Sequence, residues 1–171
     1  MSLETFLSQV MPVRPKLLRF AYRLLGNEED AKDIIQDALI KVWNHKDRMN
    51  ELQNLEAWCM RITRNLALDR LKSKKFRQAD DLDHVRELPS AGRNPHTTME
   101  QSDVMKKVHE VIRALPEKYR TIIQLRDMDG YTYQEIADIL DVDMSEVKVN
   151  LHRARKTVRE QLQNMHVYGL Q

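Results

Sequence analysis

Five cations, Lys148, Arg153, Arg155, Lys156 and Arg159, fall within twelve residues that contain no acid. A cationic run of this kind neutralises phosphates and releases the counterions condensed along a duplex. Ser145, Glu146, Lys148, Val149, Asn150, His152 and Arg153 are types able to reach into a groove. Lys148, Asn150 and Arg153 suit base edges or the nearby phosphates best. The chemistry on offer is therefore recognition of nucleic acid, not bond making.

Such side chains need a helix to present them, and the stretch Thr132 to Arg159, TYQEIADILDVDMSEVKVNLHRARKTVR, supplies one. Thr132 and Glu135 predict a capping box on a first helix, and Asp143 and Glu146 predict the same on a second. Asp141 stands where a tight turn needs a left-handed residue, a conformation that Asp tolerates better than most side chains. The apolar stripe Ile136, Ala137, Leu140, Val142, Val147 and Leu151 is the core of such a helical hairpin. Capped hairpins also occur in scaffolds, but the outward set favours a helix-turn-helix that binds DNA.

The rest of the chain has a helical composition. Its 171 residues include only 4 Gly and 5 Pro, and no stretch alternates as a strand does. Helical spacing runs from Leu17 to Leu25 and stops at Gly26-Asn27. It resumes through Ala31, Ile34, Ile35, Ala38, Leu39, Val42 and Trp43 behind the acids Glu28, Glu29 and Asp30. Asn44 to Asn54 reads as a loop. A third helix is expected from Leu55 to Lys75, with Leu55, Trp58, Ile62, Leu66 and Asp69 on one face. Arg77 to Asp103 loses the periodicity and is acidic, as a linker would be. Val104, Val108, Val111, Ile112 and Leu115 begin another helix, and a further one runs from Pro116 to Asp129-Gly130. The expected fold is all-α. Two small helical domains, residues 1–77 and 103–171, are joined by a flexible linker at 78–102, and the second is a four-helix domain containing the helix-turn-helix.

Net charge is only +2, yet Arg61, Arg64, Arg70, Lys72, Lys74, Lys75 and Arg77 crowd the stretch Arg61 to Arg77 against Asp69 alone. That run reads equally well as a solvated face or as a nucleic-acid contact. Asn65 and Asp69 are poor mid-helix formers, and they suit either capping of a neighbouring loop or polar contacts with bases. Asp33, Gln36 and Asp37 form a polar face on the second helix, open to solvent or to a protein partner. The six histidines lack metal-ligand spacing, no glycine-rich phosphate loop is present and no nucleophile has a recognisable neighbourhood. Neither an enzyme nor a cofactor or metal is expected. Cys59, the sole cysteine, reads as a small buried hydrophobe. No leader pattern opens the chain, and no stretch approaches ~20 uninterrupted apolar residues, so a cytoplasmic address without membrane insertion is expected.

Two blocks together resemble bacterial sigma factors of the extracytoplasmic function (ECF) type. The first holds DAKDIIQDALIKVW (Asp30 to Trp43) and RNLALDRLK (Arg64 to Lys72). The second, opened by Asn94-Pro95, holds LPEKYRTIIQLRDMDGYTYQEIADIL and VKVNLHRARK. The resemblance implies a non-enzymatic factor that directs bacterial core RNA polymerase to specific promoters. It assigns Asp33, Gln36 and Ile40 to the clamp of the polymerase's largest subunit and implies contact with the second-largest subunit. By motif position Asn65, Asp69 and the loop Asn44 to Asn54 capture unstacked bases at the −10 element, while Arg61, Arg64 and Arg70 hold phosphates. Ser145, Lys148, Asn150, Arg153 and Arg155 fall at the −35 duplex. An anti-sigma factor is the implied regulatory partner. Three positions depart from the family pattern: the usual glycine of the turn is Asp141, and Glu146 and Asn150 replace the commoner Thr and Arg. An independent operator-binding regulator and a protein-only adaptor remain the alternatives.

Overall fold

A computed structural model describes residues 2–80 and 99–169. These divide into two compact units, Met1–Gly92 and Arg93–Gln171. Among the described residues every regular element is helical. Most of the expected linker, with Asn94-Pro95, lies outside the described residues.

The first unit begins with a helix absent from the sequence reading. Ser2 caps α1 (Leu3–Val10) by accepting from the Thr5 amide at 3.1 Å. Burial of Phe6 and Val10 holds α1 in place, and the Phe6 ring meets Trp43 edge-on at 4.9 Å. Pro15 stands in the first turn of α2 (Arg14–Leu25), where no amide partner is needed. Gly26 ends α2 at φ 67°, a left-handed stop that costs glycine little. Asn27 Oδ1 then accepts from the Asp30 amide at 3.0 Å and caps α3 (Glu28–Asn44).

α3 buries the expected Ala31, Ile34, Ile35, Ala38 and Val42 against α2 and α4 (Leu55–Asp80). The stretch 44–54 is more ordered than a bare loop. It holds a 3-10 segment, Lys46–Glu51, pinned by the buried Met49, and Asn54 Oδ1 caps α4 through the Ala57 amide at 2.9 Å.

α4 starts at the expected residue and runs five residues past Lys75. Its buried face, however, is rotated from the expected one. Ala57, Met60, Thr63 and Ala67 form the centreline, with Trp58, Ile62 and Leu66 on its shoulders and Asp69 exposed. A helix wedged between two others needs small side chains where backbones approach most closely, and bulky ones flank that line. Size, not hydrophobicity alone, sets the face.

The second unit contains α5 (Met99–Ala114), α6 (Glu117–Ile123), α7 (Tyr133–Leu140) and α8 (Met144–Gly169). α6 does not continue evenly to Asp129. It passes into a π turn, Gln124–Met128, closed by the Asp129 amide on the Gln124 carbonyl at 2.9 Å. The Tyr131 carbonyl accepts from Arg126 Nη1 at 2.8 Å. α8 is the common wall of this unit, with α5, α6 and α7 all packed on it.

Cys59 is fully buried. Burial first, and then the Glu56 charge, pushes its thiol up to about 12. The unfolded thiol ionises at its ordinary pH while the folded one stays neutral. This contribution is therefore complete at neutral pH and is lost as pH climbs towards 12. Iodoacetamide at pH 8 should leave the folded protein unlabelled over hours and modify it promptly in denaturant; prompt labelling of folded protein would contradict this burial.

Candidate nucleic-acid interface

Helix α8 receives its direction from the turn before it. Thr132 Oγ1 accepts from the Glu135 amide at 3.2 Å, and Glu135 Oε2 accepts from the Thr132 amide at 2.8 Å, closing the expected capping box on α7. Asp141 adopts φ 58°, ψ 50°, the left-handed conformation inferred for it, and the Val142 amide returns to the Ala137 carbonyl at 3.1 Å. The reversal is completed at Asp143, whose carbonyl accepts from the Val147 amide at 3.1 Å. Glu146 does not simply repeat the first capping box. Its carboxylate meets Lys118 Nζ at 3.0 Å and Asn150 Nδ2 at 3.5 Å.

Val147, Leu151 and Ala154 bury one stripe of α8, beneath Ile136, Ala137 and Ile139 of α7. Ile139 and Ala154 were absent from the expected core stripe, and Leu140 and Val142, which were in it, are only half-buried. Ser145, Lys148, Val149, His152, Arg153 and Lys156 are exposed, so the helix presents a mixed polar and cationic face. Asn150 departs from the expected outward set, being only 6% exposed. At about 100° per residue it projects only about 40° from Ala154, on the shoulder of the buried stripe. Arg155 is exposed but committed within the unit, with Nε 3.1 Å and Nη2 2.5 Å from the two Asp127 oxygens of the π turn. The hydrogen bond to Asp127 raises its pKa further.

In the first unit, Asn65 and Asp69 are exposed on α4, and Arg61 and Arg64 are half-buried beside them. Arg64 Nε is buried without a hydrogen-bond partner among the described residues. Arg70 lies away from this outward stripe. Its Nη1 donates to Asp30 Oδ1 at 3.2 Å, and Lys74 closes on the other Asp30 oxygen, so both cations tie α4 to α3. Asp33, Gln36 and Ile40 stand exposed on one face of α3, Ile40 at 59%. Leu3 and Leu7 on α1, with Met11 at its C-terminal cap, add exposed apolar side chains, which their spacing of four could have revealed.

Sequence reasoning passed over the residues that organise these faces, Asp30, Lys118 and Asp127, because each acts through a distant partner. Among the described residues, no group of three or more His, Cys, Asp or Glu could hold a metal ion, and no helix is long and apolar enough to cross a membrane.

Two family models match the chain, Sigma-70 region 2 at residues 10–77 and Sigma-70 region 4 at residues 105–158. The ECF RNA polymerase sigma factor SigW of Bacillus subtilis is 29% identical over 170 residues, covering 95% of this chain and 91% of its own. RNA polymerase sigma factor SigV of the same organism is 33% identical over 145 residues, covering 84% and 82%. Among solved structures, the sigma factor RpoE of Bartonella quintana, in complex with the anti-sigma factor NepR, is 28% identical with a TM-score of 0.74. That match covers 94% of this chain and 98% of the RpoE chain. The two regions in this order define a sigma factor of the sigma-70 class. Within that class, the chain belongs to the ECF RNA polymerase sigma factors.

The turn before α8 has a direct test. Asp141→Val places a β-branched residue at positive φ and should cost the second unit about 1–2 kcal/mol, whereas Asp141→Gly should not lower its stability. Equal melting temperatures for the valine variant and the wild type would contradict the left-handed turn.

Proposed function

We propose that this chain acts as a promoter-specificity factor for bacterial core RNA polymerase through three separate faces. The outward face of α8 reads the −35 element as duplex, with Ser145, Lys148 and Arg153 nearest the DNA. Exposure of these side chains above a fully buried stripe is the observation that carries this reading. A helix of this kind enters the major groove with its N-terminal part on base edges, and its cations meet phosphates. Asn150 and Arg155 shape that face from within it: the first is buried, and the second is tied to Asp127.

In the first unit, Asn65 and Asp69 offer exposed hydrogen-bonding groups to unstacked bases of the −10 element, with Arg61 and Arg64 beside them. Arg70 supports this face by holding Asp30. The loop Asn44 to Asn54 contains no Phe, Tyr or Trp, but its His45 ring meets Trp58 of α4 edge-on at 6.4 Å, and its Lys46 Nζ lies 4.0 Å over the ring of Trp43. Base capture costs a few kcal/mol of unstacking, which contacts to bases and backbone offset.

Asp33, Gln36 and Ile40 form the face for the clamp of the polymerase's largest subunit. An exposed isoleucine flanked by polar residues suits a protein interface better than nucleic acid. A groove of about 420 Å³ between α5, the π turn and α8, lined by Met105, Ile112, Ile123, Met128, Val158 and Leu162, offers an apolar seat for the second-largest subunit. Residues 1–77, 78–102 and 103–171 serve as polymerase and −10 domain, linker and −35 domain. An anti-sigma factor covering these faces would silence them together, as a partner of that kind binds the RpoE neighbour. The chain performs no chemistry of its own; the polymerase does.

Combining Lys148→Glu with Arg153→Glu should abolish promoter binding at moderate salt and leave association with core polymerase unchanged. Ile40→Glu should weaken association with core polymerase, and lose chain-dependent transcription with it. Each neutralised phosphate contact should also lower the salt dependence of DNA binding by about one counterion. Loss of polymerase association in the α8 variant, with no effect on DNA, would contradict this division and favour a protein-binding adaptor.

A further inference from the structure

Glu146 stands in the first turn of α8, on the helix proposed to face an anionic duplex. Its side chain keeps 44% of its exposure while Lys118 of α6 approaches Oε1 at 3.0 Å. Asn150, one turn further along, brings Nδ2 to the same oxygen at 3.5 Å. The carboxylate is thus held from two sides by elements that packing fixes. Asn150 is buried, and α6 packs against α8. A carboxylate has about four acceptor positions, and these contacts use two, so it retains acceptor capacity towards solvent.

An ion pair this exposed contributes little to stability. Its energy therefore does not account for a negative charge at this place, where phosphates repel it. Base chemistry does. In the major groove, guanine shows two acceptors and thymine an acceptor with a methyl group, all unfavourable to a carboxylate. Adenine sets an acceptor beside its amino group, whereas cytosine offers an amino donor alone. A carboxylate in the first turn of a recognition helix, oriented and half-neutralised by a lysine, therefore suits cytosine best of the four bases.

We propose that Glu146 is a specificity-determining residue that accepts a hydrogen bond from the N4 amino group of one cytosine in the −35 duplex. Lys118 is its positioning residue: it fixes the carboxylate and tempers its repulsion by the backbone. The assignment rests on the placement of α8 in that major groove, and it adds the base that this position selects.

The test uses the full chain with core polymerase, transcribing a template library randomised at every position of the −35 element. Wild type, Glu146→Gln, Glu146→Ala and Lys118→Met are compared at one salt concentration, with the base preference read position by position. Wild type should prefer cytosine at one position on one strand. Glu146→Gln, nearly identical in shape, should move that position towards adenine, which glutamine reads through N6 and N7. Glu146→Ala should flatten it by about tenfold and raise transcription from mismatched templates. Lys118→Met should weaken the preference at the same position and leave every other position unchanged, which a mere staple between α6 and α8 would not do. Identical profiles for wild type and Glu146→Gln would overturn the assignment, leaving Glu146 only a tie between the two helices. A wild-type profile flat across the whole element would overturn the placement of α8 itself, and this assignment with it.

Discussion

The functional surface of the second unit is dictated by what α8 must bury. Val147, Leu151 and Ala154 have to lie against α7 and the helices before it, because no other element can fill that space. Once one stripe of a helix is fixed, the direction of every other side chain follows within about 100° per residue. Ser145, Val149, His152, Arg153 and Lys156 then face outward, and Asn150 and Arg155 fall on opposite shoulders. The turn before α8 serves the same requirement. A left-handed Asp141 and the capped start of α7 set the angle at which the buried stripe meets its partners. The outward face of α8 is thus a by-product of core packing, which lets a small domain present it rigidly.

Electrostatics divides the remaining cations by role. In each unit acids tie cations of other elements into the structure: Asp30 binds Arg70 and Lys74, and Asp127 binds Arg155. These pairs, whose cations keep part of their solvent contact, fix geometry by orienting α4 on α3 and α8 on the π turn. Lys148, Arg153 and Lys156 stay exposed on α8. Net charge is consequently a poor guide to nucleic-acid binding here, since +2 for the chain conceals cationic helical faces and acids placed to tie their edges down.

Local signals were the legible part of this sequence. The capping box at Thr132, the turn at Asp141 and the stop at Gly26 depend on residues a few positions apart and appear in the structure as read, as does the stripe from Ala31 to Val42 except that Leu39 and Trp43 are only half-buried. What escaped depends on partners far along the chain. The buried face of α4 turned towards Ala57, Met60, Thr63 and Ala67 because two neighbouring helices approach it closely, a fact of packing that hydrophobicity does not encode. Asn150 passed as a groove residue because its type suits bases, although Ala154, one turn on, had already marked that side as buried. The π turn at Gln124–Met128 leaves the apolar spacing around it intact, and α1 went unread because burial of Phe6 and Val10 in the core is what holds it.

These features converge on one account: two helical regions whose polar and cationic faces are set by core packing, acting with polymerase and not alone. Transcription by reconstituted polymerase over a genomic promoter library, with and without the purified chain, tests that account most directly. Transcripts that depend on the chain, with start sites preceded by two shared elements at near-constant spacing, are the result it predicts. Duplex binding by the chain alone, with no polymerase association and no dependent transcript, would contradict it and identify an independent regulator.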